Sequence, residues 1–433
     1  MPSLNDTHDP KLKSWVESAN DPATDFPVQN LPYGVFRRDG RDARHIGVAI
    51  GDRVLDLAAA ADSGLLGDDP AVAACRAPVL NQLLALGPTH WSALRGAISR
   101  ALRRGSDAQK HAGKILLAQR EVEMALPMDI GDYTDFFSFR AHAENAGRIF
   151  GRAEPIWPNY RYVPVGYHGR ASSIAVSGTP VKRPHGQTMP KGANAPVFGP
   201  SRRLDYEMEV GIVIGPGNGL GRPIPLAEAE NHVFGFCLLN DWSARDIQIW
   251  ESQPLGPFLA KSFITTISPW VVTLEALAPF RAPRLARPAG EPAPLPYLES
   301  VDDQKSGAVD FAVEVWLETP AMRKAGKPPQ RVSRGNLRDS YWTVFQMVTH
   351  HTSNGCNLRP GDLFGSGTVS GGVPETRGCL LERTWGGQEP LQLDGETRTF
   401  LEDGDRVIFR GVAEKDGVRI GFGSCEGTVQ PAG

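Results

Sequence analysis

The run from Leu204 through Asp205, Tyr206, Glu207, Met208, Glu209, Val210, Gly211, Ile212, Val213 and Ile214 to Gly215 limits the possible folds of this chain more than any other stretch. In a β-strand successive side chains point to opposite faces, so Met208, Val210, Ile212 and Ile214 share one face while Glu207 and Glu209 project together from the other. The ordinary place for an isolated Glu-x-Glu is a solvent-facing strand edge. Two features oppose that reading. The strand is as apolar as interior strands are, and neighbouring like charges repel unless a cation sits between them. The stretch therefore reads as half of a site for a hard metal ion.

Composition supports a fold built around such strands. The 47 glycines and 36 prolines are spread along the whole chain, which favours a β-rich architecture with many turns. A length of 433 residues supplies a large core and predicts two domains. A net charge of −3 gives no reason to expect nucleic acid or an anionic membrane as partner. Five scattered cysteines without a Cys-x-x-Cys pair argue against a disulfide framework or a zinc site and for buried thiols in a reducing compartment. No apolar run approaches membrane-spanning length and no signal-type segment opens the chain, so a cytoplasmic enzyme is expected.

Ile46–Ile50 and Val54–Leu57 flank Gly51-Asp52-Arg53 and predict a hairpin. Trp91, Leu94, Ile98 and Leu102 recur at helical spacing, with Arg95, Arg100, Arg103 and Arg104 taken as solvated around the rest of that helix. A second helical pattern around Ile115 to Leu117 leads to a domain boundary, giving residues 1–125 and 126–433. Beyond it, Asp135 is expected in a loop, His142 on a helix, and residues 163–178 in a strand after a glycine-rich turn. The glycines at 215–221 do not make a dinucleotide loop, because Leu220 occupies a required glycine position and Pro223 and Pro225 forbid the helix start. Six prolines between 276 and 297 predict an extended loop. Strand alternation resumes at Phe311, Val313, Val315 and Leu317, a helix fits Tyr341 to His350, and the last hundred residues read as short strands. The turn Gly365 to Gly371 lacks a phosphate-binding lysine and is read as presenting Thr368.

Two further acids stand in unusual settings: Asp135 among aromatics, and Asp241 directly after the apolar run Phe234–Leu239. A cap is the plain alternative for Asp241. With Glu207 and Glu209 they would form an all-oxygen cage suited to Mg²⁺, Ca²⁺ or Mn²⁺. Arg245 and Gln248, three residues apart, and Lys261 supply donors that a developing oxyanion needs. His142 is the candidate general base, since imidazole titrates near neutrality.

Together the segments FPVQNLPYGVF, GDYTDF, VGYHGRASS, EMEVGIVIGPGN, NDWSARDIQ, LGPFLAKSF, NLRPGDL and RIGFGSCEG, in this order over nearly the whole chain, resemble the fumarylacetoacetate hydrolase family. The resemblance implies a mainly β fold with some α: a small N-terminal SH3-like β-barrel, then a larger C-terminal domain of rolled β-sheets, in a homodimer. It implies Asp135, Glu207, Glu209 and Asp241 as metal ligands, with Lys261 and Thr265 associated with the metal. His142 resembles the proton acceptor and Glu382 the carboxylate that orients it. Arg245, Gln248 and Lys261 match the oxyanion-stabilising group, and Gln248, Thr368 and Tyr167 match substrate contacts, with Arg152 the nearest counterpart of a substrate arginine. Phe137 and Ser252 stand where the family has tyrosines, which removes two hydroxyl donors at substrate-contacting positions.

The implied activity is metal-dependent hydrolysis of the carbon–carbon bond of fumarylacetoacetate, a small-molecule diketo acid, to fumarate and acetoacetate in tyrosine and phenylalanine catabolism. Phe137 and Ser252 motivate an alternative, hydrolysis of a different diketo acid. Decarboxylation or tautomerisation of a β-keto acid is a third reading, opposed by the presence of both His142 and Glu382, since those reactions need no activated water.

Overall fold

A computed structural model describes residues 4–38 and 43–433. Its first layer is a five-stranded antiparallel sheet in the spatial order Leu116–Ala118, Arg53–Asp56, Arg44–Ile50, Tyr33–Arg38, Val122–Ala125. The expected hairpin lies in its middle, and Gly51 at its tip has φ +55°, a conformation that costs glycine little. The helical pattern around Ile115 to Leu117 gives way sooner than expected: a short helix covers Ala112–Ile115, and Leu116 and Leu117 belong to a strand paired with Val54 and Leu55. Edge pairing there wins over local helical spacing.

The helix Pro88–Leu102 buries Trp91, Leu94, Ile98 and Leu102 as its period predicts. Arg95, however, is not solvated. It is 2% exposed and donates from Nε to Thr7 Oγ1 (3.0 Å) and from its two Nη atoms to the carbonyls of Asn30 (2.7 Å) and Gln29 (2.5 Å). The guanidinium thus ties the N-terminal segment to the helix through acceptors far away in sequence, which no local pattern reveals.

A second, central sheet runs in the order Gly166–His168, Tyr133–Phe136, Leu363–Gly365, Met208–Ile214, Val233–Asp241, Thr265–Ile267, Ile174–Val176, with Val272–Thr273 also paired to Val233–Asp241. Asp135 therefore lies in a strand and not in the loop expected for it, paired in parallel with Gly365. Residues 163–178 form two separate strands on opposite sides of this sheet. A third sheet stacks Gln330–Asn336, Ala312–Glu318, Arg406–Lys415, Val418–Gln430 and Val181–Lys182. The helix expected from Tyr341 begins at Val344, where Thr343 and Gln346 make a capping box, and extends to Thr352.

The central sheet is covered on both faces. Met208, Val210, Ile212 and Ile214 pack with Phe236 and Leu238 against Val313, Val315, Phe409 and Phe422 of the third sheet. Val213, Cys237, Leu239 and Leu363 turn the other way, into a core shared with Trp91, Leu94 and Ile98. Trp91 meets Phe234 edge-on, ring centres 5.0 Å apart, at this junction. No helix of the described residues is long and apolar enough to cross a membrane.

Arg95→Met keeps an apolar stem but leaves three buried acceptors without their donor. At about 1–3 kcal/mol for each buried polar group left unsatisfied, a destabilisation of at least about 3 kcal/mol is expected, read as a lower melting temperature. Arg100→Met, on the exposed side of the same helix, should change stability by no more than about 0.5 kcal/mol. Equal responses from the two variants would refute the anchoring role of Arg95.

Candidate active site

Cross-strand partners share a face of a sheet, and the register of the central sheet aligns its acids through this rule. Asp135 pairs with Gly365, Gly365 with Gly211, and Gly211 with Cys237. Glu209 lies opposite Leu239, and Asp241 opposite Thr265, while the Asp241 amide donates to the Glu207 carbonyl at 3.3 Å. Asp135, Glu209 and Asp241 therefore project from the face that packs on the N-terminal core, beyond the end of that packing. Glu207 precedes the strand proper, bridged to Cys379, and joins them. All four acids are buried, and one carboxylate oxygen from each lies within 4.8 Å of the others.

Glycine makes the room. A Cβ on Gly365 would stand 2.5 Å from Asp135 Oδ1, 2.8 Å from Glu209 Oε2 and 2.9 Å from the Tyr133 hydroxyl. Asp135 Oδ1, Glu209 Oε1 and the Tyr133 hydroxyl are buried without hydrogen-bond partners. Burial, then the charges of Asp241 and neighbouring carboxylates, push Asp135 well above the usual carboxylate range. Burial and the charges of Asp135 and Asp241 do the same to Glu209. Burial alone would raise Glu207 too, but Lys261, Arg245 and His142 outweigh it and hold that carboxyl low. The Lys261 ammonium donates to Glu207 and, at 2.6 Å, to Asp241 Oδ2, and Thr265 Oγ1 donates to Asp241 Oδ1 at 3.1 Å. One ammonium serves two of the acids, and two orphaned carboxylate oxygens are left over. Such an all-oxygen set fits a hard divalent cation.

A second group adjoins it. His142, on the helix Arg140–Ile149, has Nδ1 2.6 Å from Glu382 Oε2. Asn145 Nδ2 donates to Glu382 Oε1 (2.9 Å), and Ser370 Oγ and Cys379 Sγ donate to Oε2 (2.8 and 3.3 Å). Burial would raise Glu382, but its pairing with His142 and these hydrogen bonds hold it below the ordinary range. The carboxylate is thus ionised and fixed, and a histidine held at Nδ1 has Nε2 left for proton transfer. Arg245 donates from Nη1 to Glu207 Oε1 (2.6 Å) and Gln248 Oε1 (3.1 Å), while its Nη2 is buried without a partner.

The remaining candidates divide. Tyr167 donates to Asp241 Oδ2 at 3.2 Å, and the buried Thr368 hydroxyl lacks a partner. Phe137 meets the His142 ring edge-on at 5.1 Å. Arg152 sits over Trp157 at 3.9 Å, with Nη2 buried and unpartnered, in a cavity of about 320 Å³ that Phe137 and Tyr160 also line. Ser252 turns its hydroxyl back to the Gln248 carbonyl at 2.5 Å. The sequence reading did not find Asn145, Ser370, Cys379 or Gly365. Asn145 stands three residues after His142 on the same helix face, and Gly365 and Ser370 belong to the turn read as presenting Thr368, while nothing near Cys379 marks it.

Residues 133–430 match the family description "Fumarylacetoacetate (FAA) hydrolase C-terminal", and residues 29–127 match "Fumarylacetoacetase N-terminal". The chain belongs to the fumarylacetoacetate hydrolase family. Among individual proteins, it is 48% identical to the fumarylacetoacetase of Arabidopsis thaliana over 431 residues, 97% of this chain and 99% of that one. It is 46% identical to the fumarylacetoacetase of Homo sapiens over 432 residues, again 97% of this chain and 99% of that one. A solved structure, fumarylacetoacetate hydrolase from Exiguobacterium antarcticum, shares the fold with a TM-score of 0.51 at 19% identity, covering 93% of this chain and 99% of that one.

Asp135→Asn and Glu209→Gln each remove one repelling charge. In chelator-treated protein each should raise the melting temperature at neutral pH, since the group removed is one that burial and its neighbours disfavour as an anion. Both should also abolish the melting shift produced by an added divalent cation, which for an intact site reaches about 2.7 kcal/mol at a hundredfold excess over Kd. A carboxyl with a raised folded pKa contributes stability that is complete below its ordinary pKa of about 4 and is lost as pH climbs through the raised value. Relative to the double variant, the chelated protein should therefore melt lower as pH rises above the ordinary carboxylate value of about 4. Saturating cation should erase that slope; an unchanged slope would mean the cation binds elsewhere.

Gly365→Ala drives a methyl group against Asp135 Oδ1 and Glu209 Oε2. Titration calorimetry should find cation affinity lost, and undiminished affinity would remove this cluster as the binding site.

Proposed function

We propose that this protein catalyses the hydrolysis of fumarylacetoacetate to fumarate and acetoacetate, with Mg²⁺, Ca²⁺ or Mn²⁺ held by Asp135, Glu207, Glu209 and Asp241. The observation that carries the reading is the buried His142–Glu382 pair beside an oxygen-only acid cluster with a free guanidinium nitrogen on Arg245. A cation bound there supplies Lewis-acid polarisation of the substrate's carbonyl oxygens. His142, oriented through Nδ1 by Glu382, takes a proton from water at Nε2, and the hydroxide adds to the carbonyl next to the alkene. Arg245 Nη2, Gln248 and Lys261 stabilise the tetrahedral oxyanion. Its collapse breaks the carbon–carbon bond, and the departing acetoacetate carbon receives the proton from His142.

Lys261 serves as an ammonium and not as a ligand through Nζ, because Asp241 and Glu207 outweigh burial and raise its pKa. Thr265 orients Asp241. Tyr167, Thr368, Gln248 and Arg152 are the substrate contacts of this reading, with Phe137 and Ser252 lining the same region. Residues 126–433 form the catalytic domain, supported by residues 1–125. The protein acts in the cytoplasm as a homodimer, a state supported by the exposed apolar side chains of Leu255 (98%), Phe198 (74%) and Phe258 (68%). The five unpaired cysteines fit a reducing compartment. Hydrolysis of a different diketo acid is the second reading, favoured by the Ser252 hydroxyl being committed to Gln248 and by the lack of a hydroxyl on Phe137.

The test is loss of diketone absorbance when cation-loaded protein meets fumarylacetoacetate, with both products identified and a chelator control. His142→Ala should lower kcat by about 10³-fold, within the span usual for a general base, while keeping the cation-induced melting shift. Inert wild-type protein that turns over another diketo acid in a side-by-side assay would favour the second reading. Full activity in His142→Ala would dismiss the mechanism.

A further inference from the structure

The reacting groups come from chain segments far apart, with the base pair on His142 and Glu382 and the oxyanion donor on Arg245. One side chain outside all the roles assigned above joins them. Asp205 is fully buried, two residues before Glu207 in a two-residue strand of its own. Its Oδ1 accepts the amides of Leu380 and Tyr206, both at 2.8 Å. Its Oδ2 accepts the amide of Leu381 and Nε of Arg245, both at 2.9 Å. Leu380 and Leu381 open the four-residue helix Leu380–Arg383, whose third residue is Glu382. A single carboxylate therefore grips, through two oxygens and four donors, both the backbone that carries Glu382 and the guanidinium that supplies the oxyanion donor.

The arrangement of Arg245 shows what the grip achieves. With Nε on Asp205 and Nη1 shared between Glu207 and Gln248, the planar guanidinium has no rotational freedom, and Nη2 remains a buried donor with no protein partner. On the other side, Glu382 can hold His142 at 2.6 Å only if its short helix is seated, and two of the amides that seat it end on Asp205. We propose that Asp205 is the positioning residue of this site, setting the general base and the oxyanion donor at a fixed separation through one shared carboxylate. The inference rests on the hydrolase reading above. Asp205 touches neither substrate nor cation; it acts through Glu382 and Arg245.

Asparagine at 205 keeps the shape but turns one acceptor oxygen into a donor facing donors. For Asp205→Asn, kcat should fall about 10²-fold, the usual consequence of displacing a reacting group by about 1 Å, with KM and the cation-induced melting shift nearly unchanged. A double-mutant cycle separates positioning from general stability. In either the Glu382→Gln or the Arg245→Met background the further loss from Asp205→Asn should be smaller than in the wild type, and in the background carrying both it should be no more than about threefold, because both groups through which Asp205 acts are then already disabled. The same full loss in every background would overturn the proposal.

If Asp205→Asn fails to fold, Leu380→Pro decides. Proline is tolerated at the first position of a helix and Cys379 before it is extended, with φ −149° and ψ 162°, so the change removes one amide bond to Asp205 and spares the tie to Arg245, and Leu380→Ala, which trims the same buried side chain but keeps the amide, is its control. The proline variant should lower kcat with KM retained; wild-type kcat in that variant would overturn the proposal. Absence of turnover in the unaltered chain would instead strike the hydrolase reading itself, and so remains distinguishable.

Discussion

The repulsion among four buried carboxylates on one sheet face is the constraint on which the rest of this structure depends. Each acid costs desolvation, and each raises the cost of ionising the next. The chain offsets part of this with Lys261 and Arg245, both buried and both bonded to Glu207. It leaves Asp135 and Glu209 with orphaned oxygens, which a domain stabilised for its own sake would have paired or replaced. The glycine at 365 follows from the same requirement. Gly365 pairs with Asp135, and a Cβ there would fill the space between the acids, while a Cβ on its partner Gly211 would strike Cys237 Sγ in the core beneath them at 2.6 Å.

That requirement explains why the acid-bearing face of the central sheet needs cover. Carboxylates that repel strongly enough to recruit a cation must be kept from water, and an open antiparallel sheet would let water screen them. The third sheet covers the face carrying Met208, Val210 and Ile212, and the N-terminal helices cover Val213, Cys237 and Leu239 on the other. Trp91 and Arg95 illustrate two ways of fastening that cover, one by ring packing on Phe234 and one by hydrogen bonds to Gln29 and Asn30.

Much of the site could be read from sequence, because alternation along one strand already puts Glu207 and Glu209 on a common face. Asp241 ends an apolar run, and its strand is adjacent in the sheet, so it too carried a local sign. Asp135 was harder. Its strand is four residues long and pairs in parallel with a segment 230 positions away, so nothing nearby distinguishes it from a loop. Arg95 was misread for a related reason: its acceptors are a side chain and two carbonyls from another segment, while local periodicity only reports which positions are apolar. Asp205 stands in the same short run as the two glutamates, yet its partners Leu380, Leu381 and Arg245 arrive from distant parts of the chain. Hydrogen-bond hubs of this kind are properties of the tertiary register and not of any window of sequence.

Phe137 shows how the two halves of the site bear on substrate choice. Its ring packs edge-on against His142, so the aromatic contact that keeps the imidazole in place does not require a phenol. A tyrosine there would add a hydroxyl toward substrate; phenylalanine keeps the packing and gives up the donor. In the proposed reaction the donors left to meet the substrate's charged end are those without a protein partner, and Arg152 Nη2 and the Thr368 hydroxyl are two of them. Arg152 already sits over the Trp157 ring at 3.9 Å, a contact that limits the freedom it has left to lose when it meets a carboxylate. A guanidinium held in this way binds a carboxylate wherever it sits within reach of the fork, whereas a phenol tests one direction. Phenylalanine at 137 thus spares the packing on His142 and gives up one directional donor, so discrimination at this position rests on shape more than on a hydrogen bond.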